Sequence, residues 1–380
     1  MDSPGGRVVA VAKLGRTLAH YQWGGPGAIS KLFGWGEPEE PEAEWWLGVH
    51  PLRPSRIAAD GKPLADWLQR HGGVGELPYL FKVLAPSMPL SLQVHPSTDQ
   101  ATEGFDREVR GRMDLDDPLR LYKDPSAKPE LVVALEGGFS ALAGVRAVDD
   151  VVASLTDLDP DDESPIGAFR QKLLSDGIDS TVRWLLSGGD EVAELVAALQ
   201  DHREKDDTLR RLIEHFPGDP GIAVGLLMHR VNLQHGEGLF VDAGVPHAYL
   251  EGYAVELMAP SDNVLRGGLT QKHVDVESFL DVADFTPGGV PWLHPVERDG
   301  VSQYEPVGQG FGLSRVNGDD IHATATLTGP SIFLCTGGSF QLRGSRGSRT
   351  TQRGEAWVAS HSESPITVEG SGELWWAGPR

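Results

Sequence analysis

Cysteine, long apolar runs and positive charge are all scarce in this sequence. Its single cysteine, Cys335, excludes an intrachain disulfide and any cysteine-based zinc finger. No window approaches the 18 apolar residues of a membrane-spanning helix. The 33 lysines and arginines are outnumbered by 55 aspartates and glutamates, and the resulting net charge of −22 repels nucleic acid and anionic lipid. We therefore expect neither nucleic acid nor a membrane as a partner.

Several short motifs are missing as well. Residues Met1–Gly6 contain no charged region followed by an apolar stretch, so we expect no signal peptide and a cytoplasmic protein. No glycine-rich turn leads from a strand into a helix, which excludes the dinucleotide-binding and P-loop classes. The near match Gly308–Gly312 has the wrong spacing and predicts a turn. The apolar run Ile332–Cys335 predicts a buried, inert thiol rather than a nucleophile.

Turn-forming residues, by contrast, are abundant and predict many short strands. The 380 residues, enough for roughly two to three domains, include 47 glycines and 27 prolines. Together these are about a fifth of the chain, against a usual share of roughly 12%. The apolar runs Leu80–Leu84 and Leu131–Leu135 predict two of the strands. Four later segments predict further strands: Ser331–Thr336, Ser339–Arg343, Glu355–Ala359 and Ile366–Glu369.

One stretch, residues 146–220, has a helical pattern instead. One helix face is predicted by the spacing of Val192, Leu195, Val196 and Leu199, and a second by that of Leu209, Leu212, Ile213 and Phe216. Ser164 followed by Pro165 predicts a helix start. Strands are expected to return over residues 221–290. This order predicts a β barrel or sandwich with a helical insert, followed by a second β domain.

The segment Pro89–Pro96 is the first that could carry chemistry. If it is a strand, its side chains alternate between two faces. The apolar face would carry Leu90, Leu92 and Val94, and the polar face Ser91, Gln93 and His95. Taken alone, the segment is equally consistent with an ordinary half-solvated strand and with a metal site at Gln93 and His95.

Three more segments carry candidate residues with open interpretations. Lys128 and Glu130 share one face of a strand start, where an exposed charge pair is the simpler interpretation. His247 follows Pro246 at a strand end, and a lone histidine is more often structural than a ligand. Arg266 precedes two glycines that allow a close approach to a ligand, but it could equally be a surface arginine.

Taken together, these segments resemble the type I mannose-6-phosphate isomerases (phosphomannose isomerases), enzymes of the cupin superfamily. The matching blocks follow one another along most of the chain: Tyr21–Gly24, Ala43–Pro51, Leu77–Leu84, Gln93–Pro96, Lys123–Pro125, Lys128–Glu130, Pro246–Leu250, Ser261–Arg266 and Gly268–Thr270. Ser126 and Ala127 depart from the pattern, since many members have Asn and His there. The last ninety residues match least, and His361 among them is expected to be a surface residue.

The resemblance implies a mainly β fold in four parts. A cupin catalytic domain, a jelly-roll β-barrel, would be formed by residues 1–145 and 221–290. The helical insert would occupy residues 146–220, and a second, β-barrel-like C-terminal domain would occupy residues 291–380.

The resemblance also implies a site. Gln93, His95, Glu130 and His247 would bind one zinc ion per chain. Arg266 would be the active-site arginine, with Lys128 and Glu256 as further catalytic candidates. The substrate-binding candidates are Lys82, Ser91, Tyr249 and Lys272. Similar enzymes interconvert mannose 6-phosphate and fructose 6-phosphate, so a small sugar phosphate is the expected partner of a monomeric chain.

The implied ligand set is chemically reasonable for such a substrate. Two neutral imidazoles, an amide and one carboxylate leave Zn²⁺ with a net charge of about +1, which attracts a phosphate. Four protein ligands usually mark a structural zinc site, but oxygen ligands permit a fifth position. The same set would accept Co²⁺ or Mn²⁺. The group that carries the proton is left open among Glu256, Lys128 and a zinc-bound water.

Two alternatives differ in class. The first is another metal-dependent cupin enzyme, either an isomerase for a different sugar phosphate or an oxygenase. The second is a sugar-sensing cupin without activity. An iron oxygenase would need neither the glutamine ligand nor the Ser261–Arg266 block, and loss of a ligand would have favoured the sensor.

Overall fold

Strands, many of them short, are the main regular elements outside one helical segment, as the glycine and proline content predicts. The computed structural model describes residues 10–380, and residues 1–9, in which we expect no signal peptide, lie outside this range. The strands before the helical segment are β1 (Val11–Lys13), β2 (Leu18–Ala19), β3 (Gly25–Pro26), β4 (Pro41–Glu42), β5 (Glu44–Leu47), β6 (Leu80–Leu84), β7 (Gln93–Val94), β8 (Glu130–Ala134) and β9 (Phe139–Val145). Between them lie the helices α1 (Ala28–Phe33), α2 (Leu64–Arg70) and α3 (Thr98–Arg110).

The helical segment lies between β9 and the next strand. Its helices are α4 (Val148–Leu158), α5 (Pro165–Ser187), α6 (Asp190–Asp201), α7 (Asp207–His215) and α8 (Gly221–Leu226). The predicted helix start is confirmed, because the Ser164 hydroxyl accepts a hydrogen bond from the Gly167 N–H and Pro165 is the first helical residue. The apolar spacings predicted in α6 and α7 also face the core. The helical segment extends to Leu226, six residues beyond the predicted boundary at residue 220, because α8 lies where strands were expected to return.

The remaining elements are almost all strands. They are β10 (Met228–Leu233), β11 (Gly238–Val241), β12 (His247–Glu251), β13 (Ala254–Met258), β14 (Leu265–Arg266), α9 (Val276–Val282), β15 (Trp292–Leu293), β16 (Val296–Arg298), β17 (Val301–Tyr304), β18 (Phe311–Ala325), β19 (Ser331–Gly344), β20 (Gly347–Gln352), β21 (Glu355–Ala359) and β22 (Ile366–Pro379). The four strands predicted after residue 330 are confirmed, although the first two form the single long strand β19. The predicted mainly β class is therefore correct. Within residues 10–380, no helix is both long and apolar enough to cross a membrane.

Three antiparallel sheets form the body of the fold. The first has the strand order β10-β9-β12-β7-β14, and the second β15-β11-β8-β13-β6-β5-β2. These two sheets pack face to face, because side chains of both, such as Val132 and Ala141, share one apolar cluster. The helical segment covers the outer face of the first sheet, where Leu142 and Leu265 pack against Leu195 and Leu212.

The third sheet covers the outer face of the second. Its order is β1-β21-β19-β22-β18-β17-β16, with β20 paired to β19. Phe81 and Leu257 of the second sheet share a core with Trp375 of the third. β1 belongs to this C-terminal sheet through pairing of Val11 with Ala359, which local sequence patterns did not predict. Cys335 is fully buried in the sheet, and burial raises the pKa of its thiol to about 12, as expected of an inert cysteine.

Candidate active site

Three potential metal ligands meet between the first and second sheets. His247 begins β12, His95 follows β7, and Glu130 begins β8 of the opposite sheet. One nitrogen or oxygen atom from each residue lies within 4.8 Å of the others, and all three residues are buried. His95 Nε2 lies 3.3 Å from Glu130 Oε1, and His247 Nε2 lies 3.8 Å from Glu130 Oε2. Three segments that are well separated in the sequence thus converge on one point.

Backbone carbonyls hold both imidazoles with Nε2 toward this point. His95 Nδ1 donates to Asn263 O at 2.8 Å, and His247 Nδ1 donates to Val245 O at 3.0 Å. A proton on Nδ1 leaves the Nε2 lone pair available to a metal. Burial lowers the pKa of His247 to about 4 and lowers that of His95 as well, so both rings are neutral at pH 7.

The cluster fits a metal ion. His95 Nε2 is buried, and among the described residues it has no hydrogen-bond partner, which is costly unless something binds there. Burial alone would raise the pKa of Glu130, but the Lys128 ammonium and the two imidazoles outweigh it and lower the pKa well below its usual value. Two neutral imidazoles and one carboxylate are the donors of many zinc sites.

Gln93 lies in the same row as His247. The strand register pairs Gln93 with His247 on one side and with Arg266 on the other. Directly opposite residues of antiparallel strands present their side chains to the same face. Gln93, His247 and Arg266 therefore form a line across the first sheet. Gln93 Nε2 donates to Ser91 Oγ at 3.1 Å, which leaves the amide oxygen free of that bond.

The prediction for the segment around Gln93 was only partly correct. Leu92 and Val94 are buried in the apolar core, as the alternation predicts. Leu90, however, does not lie in that core with Leu92 and Val94 but lines the cavity together with Gln93. The strict alternation fails there because β7 has only two residues, so Leu90 lies outside any strand.

A cavity of about 240 Å³ opens beside the cluster, and two of the cationic side chains in its lining differ from the others in having no carboxylate partner within 4.0 Å among the described residues. Arg266 and Lys272 both line its wall. Among the described residues, neither makes an ion pair within 4.0 Å. Burial lowers the pKa of Arg266, and burial together with the Arg266 charge lowers that of Lys272. An anion that entered the cavity would relieve this repulsion.

Arg266 depends on the glycine that follows it for its position. A Cβ atom on Gly267 would lie 2.2 Å from the Phe279 ring of α9, so only glycine lets this segment pack so closely against the helix. The predicted importance of the glycines after Arg266 thus has a steric reason.

The cavity wall on the second sheet carries an array of charges. Lys82 Nζ lies 3.1 Å from Glu256 Oε2 and 3.6 Å from Glu44 Oε1, and 4.8 Å from the centre of the Trp46 ring. Although burial alone would lower the pKa of Lys82, the two carboxylates raise it above its usual value. Burial raises the pKa of Glu256 to about 7 in spite of Lys82.

The other predicted residues lie close by. Lys128 Nζ lies 2.8 Å from Glu130 Oε1. Tyr249 lines the cavity, and its hydroxyl donates to Glu130 Oε2 at 3.4 Å. Ser91 contacts Gln93 but does not line the cavity itself. His361 is exposed and remote from the cluster, as expected.

Sequence reasoning missed two pairs at this site. Glu44 and Trp46 reach the cavity because β5 pairs with β6 and places Trp46 opposite Lys82. His50 Nε2 lies 3.3 Å from Asp262 Oδ2, and Asp262 lines the cavity. Glu44, Trp46 and His50 belong to the Ala43–Pro51 block and Asp262 belongs to the Ser261–Arg266 block, so these two blocks were the available signals.

Comparison with known proteins agrees with this geometry. The family "Phosphomannose isomerase type I, catalytic domain" matches residues 11–148. The mannose-6-phosphate isomerase of Escherichia coli (strain K12) is 33% identical over 386 aligned positions, covering 95% of this chain and 98% of that protein. The enzyme of Rattus norvegicus is 30% identical over 323 positions, covering 73% and 74%.

Solved structures agree as well. A holo, zinc-bound crystal structure of mannose 6-phosphate isomerase superimposes with a TM-score of 0.89 at 32% identity, covering 98% of this chain and 100% of that one. The apo form from Salmonella typhimurium gives the same values.

A mainly β fold with a buried His-Glu-His cluster beside a cavity lined by both basic and acidic side chains is typical of a metal-dependent enzyme. The relatives make the class specific. The chain belongs to the mannose-6-phosphate isomerase family, the type I phosphomannose isomerases.

Proposed function

We propose that the protein is a zinc-dependent aldose–ketose isomerase that interconverts mannose 6-phosphate and fructose 6-phosphate through an enediolate. The observation that carries this proposal is the convergence of His95, Glu130 and His247 beside a cavity that is lined by Glu130 and His247 and also by Arg266 and Lys272. A sugar phosphate needs both features, since its phosphate requires cations and its carbonyl requires an electrophile.

One zinc ion per chain would be held by Gln93, His95, Glu130 and His247. The orphaned His95 Nε2 and the position of Gln93 opposite His247 support this ligand set. When bound, zinc supplies a Lewis acid that polarises a sugar oxygen. The second-sphere carbonyls of Asn263 and Val245 keep both imidazoles in the tautomer that ligation needs.

Lys272 binds the phosphate at the cavity wall, and Lys82 does not. Lys82 is enclosed by the carboxylates of Glu256 and Glu44, which would repel a phosphate. Lys272 has no such neighbour among the described residues within ion-pair distance, and the nearby Arg266 charge adds to the attraction. Ser91 affects the substrate indirectly, because its hydroxyl holds the Gln93 side chain. Tyr249 contacts the substrate beside Glu130.

Glu256 moves the proton between C1 and C2. Its carboxyl is buried at the cavity, and a pKa raised to about 7 suits a group that must both accept and release a proton near neutral pH. Lys82 holds this carboxyl in place at 3.1 Å. Arg266 stabilises the negative charge that develops on the enediolate. Lys128 is paired with Glu130 and supplies a further positive charge beside the reacting carbons.

The finer architecture belongs to the same proposal. The two facing sheets form the jelly-roll barrel of a cupin, whose strands come from the regions 1–145 and 221–290, except that β15 adds one edge strand and β1 pairs with the C-terminal sheet instead. Residues 146–220 form the helical insert, and residues 291–380 form a C-terminal β domain that supports the fold without taking part in catalysis. The protein acts as a monomer.

A coupled assay on the full-length chain tests the function. Mannose 6-phosphate should be converted to fructose 6-phosphate, and a chelator should abolish turnover until zinc is restored. Turnover that survives complete zinc removal would overturn the metal assignment. Turnover of glucose 6-phosphate without turnover of mannose 6-phosphate would overturn the substrate.

A further inference from the structure

Two loops meet beside the metal-ligand cluster, and one carboxylate joins them. Asp124 lies in the first loop, between Tyr122 and Lys128. Its carboxylate accepts a hydrogen bond from Ser261 Oγ at 2.9 Å and another from the Asp262 N–H at 2.9 Å. Both donors belong to the second loop, which leads into β14 and Arg266. The Asp124 side chain therefore ties two cavity-lining segments together.

Asn263 completes the connection from the second loop. Its amide nitrogen donates to Asp124 O at 2.7 Å and to Ser126 O at 2.9 Å, and its amide oxygen accepts from the Lys123 N–H at 2.7 Å. The residue is fully buried, so every one of these bonds replaces a lost contact with water. We call this set of bonds between Asp124, Ser261 and Asn263 the loop clamp.

The loop clamp acts on the ligand cluster from two directions. The Asn263 main-chain oxygen accepts the Nδ1 proton of His95 at 2.8 Å, so the clamp positions the carbonyl that orients this imidazole. The first loop continues directly to Lys128 and Glu130, which supplies the carboxylate of the cluster. The positions of two candidate ligands from different elements, His95 and Glu130, thus depend on the same set of hydrogen bonds.

We propose that Asp124 and Asn263 are positioning residues that pre-arrange the metal centre. The inference rests on the proposed zinc site. Among the described residues that line the cavity there is neither Asp124 nor Asn263, so neither is expected to touch the substrate. Their effect is exerted through the orientation of His95 and the placement of Glu130, and metal affinity is the quantity that reports it most directly.

The test is zinc affinity measured by chelator competition on the full-length protein. Asp124→Asn keeps the size of the side chain but puts an NH₂ group, a hydrogen-bond donor, opposite the donors of Ser261 and Asp262. Zinc affinity should then fall about 10- to 100-fold, the usual effect of losing an outer-sphere partner. The d–d absorption spectrum of the cobalt-substituted variant should also change, because the ligand geometry is altered.

Glu363→Gln provides the matched control. Glu363, which lies between β21 and β22, is a fully buried carboxylate that accepts the Ala10 N–H at 2.7 Å and the Arg346 N–H at 3.0 Å. Its variant should lose stability yet retain wild-type zinc affinity and the wild-type cobalt spectrum. Equal loss of zinc affinity in both variants would show a general effect of instability and would overturn the proposal.

A second variant covers the case in which Asp124→Asn does not fold. Ser261→Ala removes one donor of the clamp and should lower zinc affinity several-fold with a smaller effect on folding. Wild-type zinc affinity and an unchanged cobalt spectrum in every folded clamp variant would overturn the proposal. Failure of the wild-type chain itself to bind zinc would instead refute the proposed metal site, so the two failures are distinguishable.

Discussion

The Lys82 ammonium balances two buried carboxylates, and its removal should cost the fold much of its stability. Its side chain is 8% exposed, and the side chains of Glu256 and Glu44 are 4% and 10% exposed. Breaking a buried ion pair by removing one partner typically costs about 3–5 kcal/mol, because the other charge is left without compensation. We expect Lys82→Met, which keeps the aliphatic packing, to lower the free energy of unfolding by that amount at pH 8.5.

The size of this loss should depend on pH. The pKa of Glu256 is raised to about 7 in the folded protein by burial, above the 4.5 of an exposed glutamate, and loss of Lys82 would raise it further. A carboxyl with a raised folded-state pKa contributes stability that is fully present below the unfolded-state pKa and is lost as pH rises through the folded-state pKa. The variant should therefore fall increasingly below the wild type as pH rises through about 7.

Urea unfolding at pH 5.5 and pH 8.5, with a chelator to remove the contribution of metal binding, measures this difference. Lys31→Met, which alters an exposed lysine, should change stability by less than about 0.5 kcal/mol at either pH. The double variant Lys82→Met/Glu256→Gln should recover part of the loss at pH 8.5, since glutamine carries no charge. An equal loss at both pH values would refute the electrostatic reasoning.

Four further outcomes are expected from the site. Glu130→Ala and His247→Ala should lose zinc, by metal analysis, together with activity and thermal stability; a full zinc complement with normal turnover would contradict the ligand assignment. Arg266→Ala should lower kcat and kcat/KM together by about 10²–10³-fold with unchanged zinc content, as for a group that acts in the transition state; a raised KM with normal kcat would reassign Arg266 to phosphate binding. Lys272→Ala should raise KM for mannose 6-phosphate while kcat stays near the wild-type value, and steady-state kinetics with an unchanged KM would exclude its phosphate role. Glu256→Gln should lower kcat by about 10²–10⁴-fold and flatten the loss of activity on acidification, because the base must be deprotonated to act; a pH profile of wild-type shape in this variant would exclude Glu256 as the base.

Local patterns predicted the helical segment and several strands, since the apolar spacing in α6 and the run Leu80–Leu84 follow from periodicity alone, but α3 and many of the shorter strands were not predicted. They could not predict pairing between distant segments. The pairing of β1 with β21 depends on contacts between the two ends of the chain. The position of Leu90 depends on where β7 stops, which tertiary packing decides.

The candidate site likewise combines residues that the sequence indicated with contacts that it did not. His95, Glu130 and His247 came from recognisable blocks, and the structure brings all three together. The His50–Asp262 contact escaped prediction because the two residues are far apart in sequence and neither is part of a ligand pattern.

The pairing of β1 with the C-terminal sheet sets an order of events during protein synthesis. Val11–Lys13 leaves the ribosome early, but its partner Glu355–Ala359 is made almost 350 residues later. At roughly 5–20 residues per second, β1 waits on the order of 20–70 s for its neighbour. Over that interval the apolar outer face of the second sheet, which Trp375 and its neighbours later cover, is exposed as well. We therefore expect a chain that lacks only its last few dozen residues to keep its candidate metal ligands but to leave this apolar face uncovered and prone to aggregation.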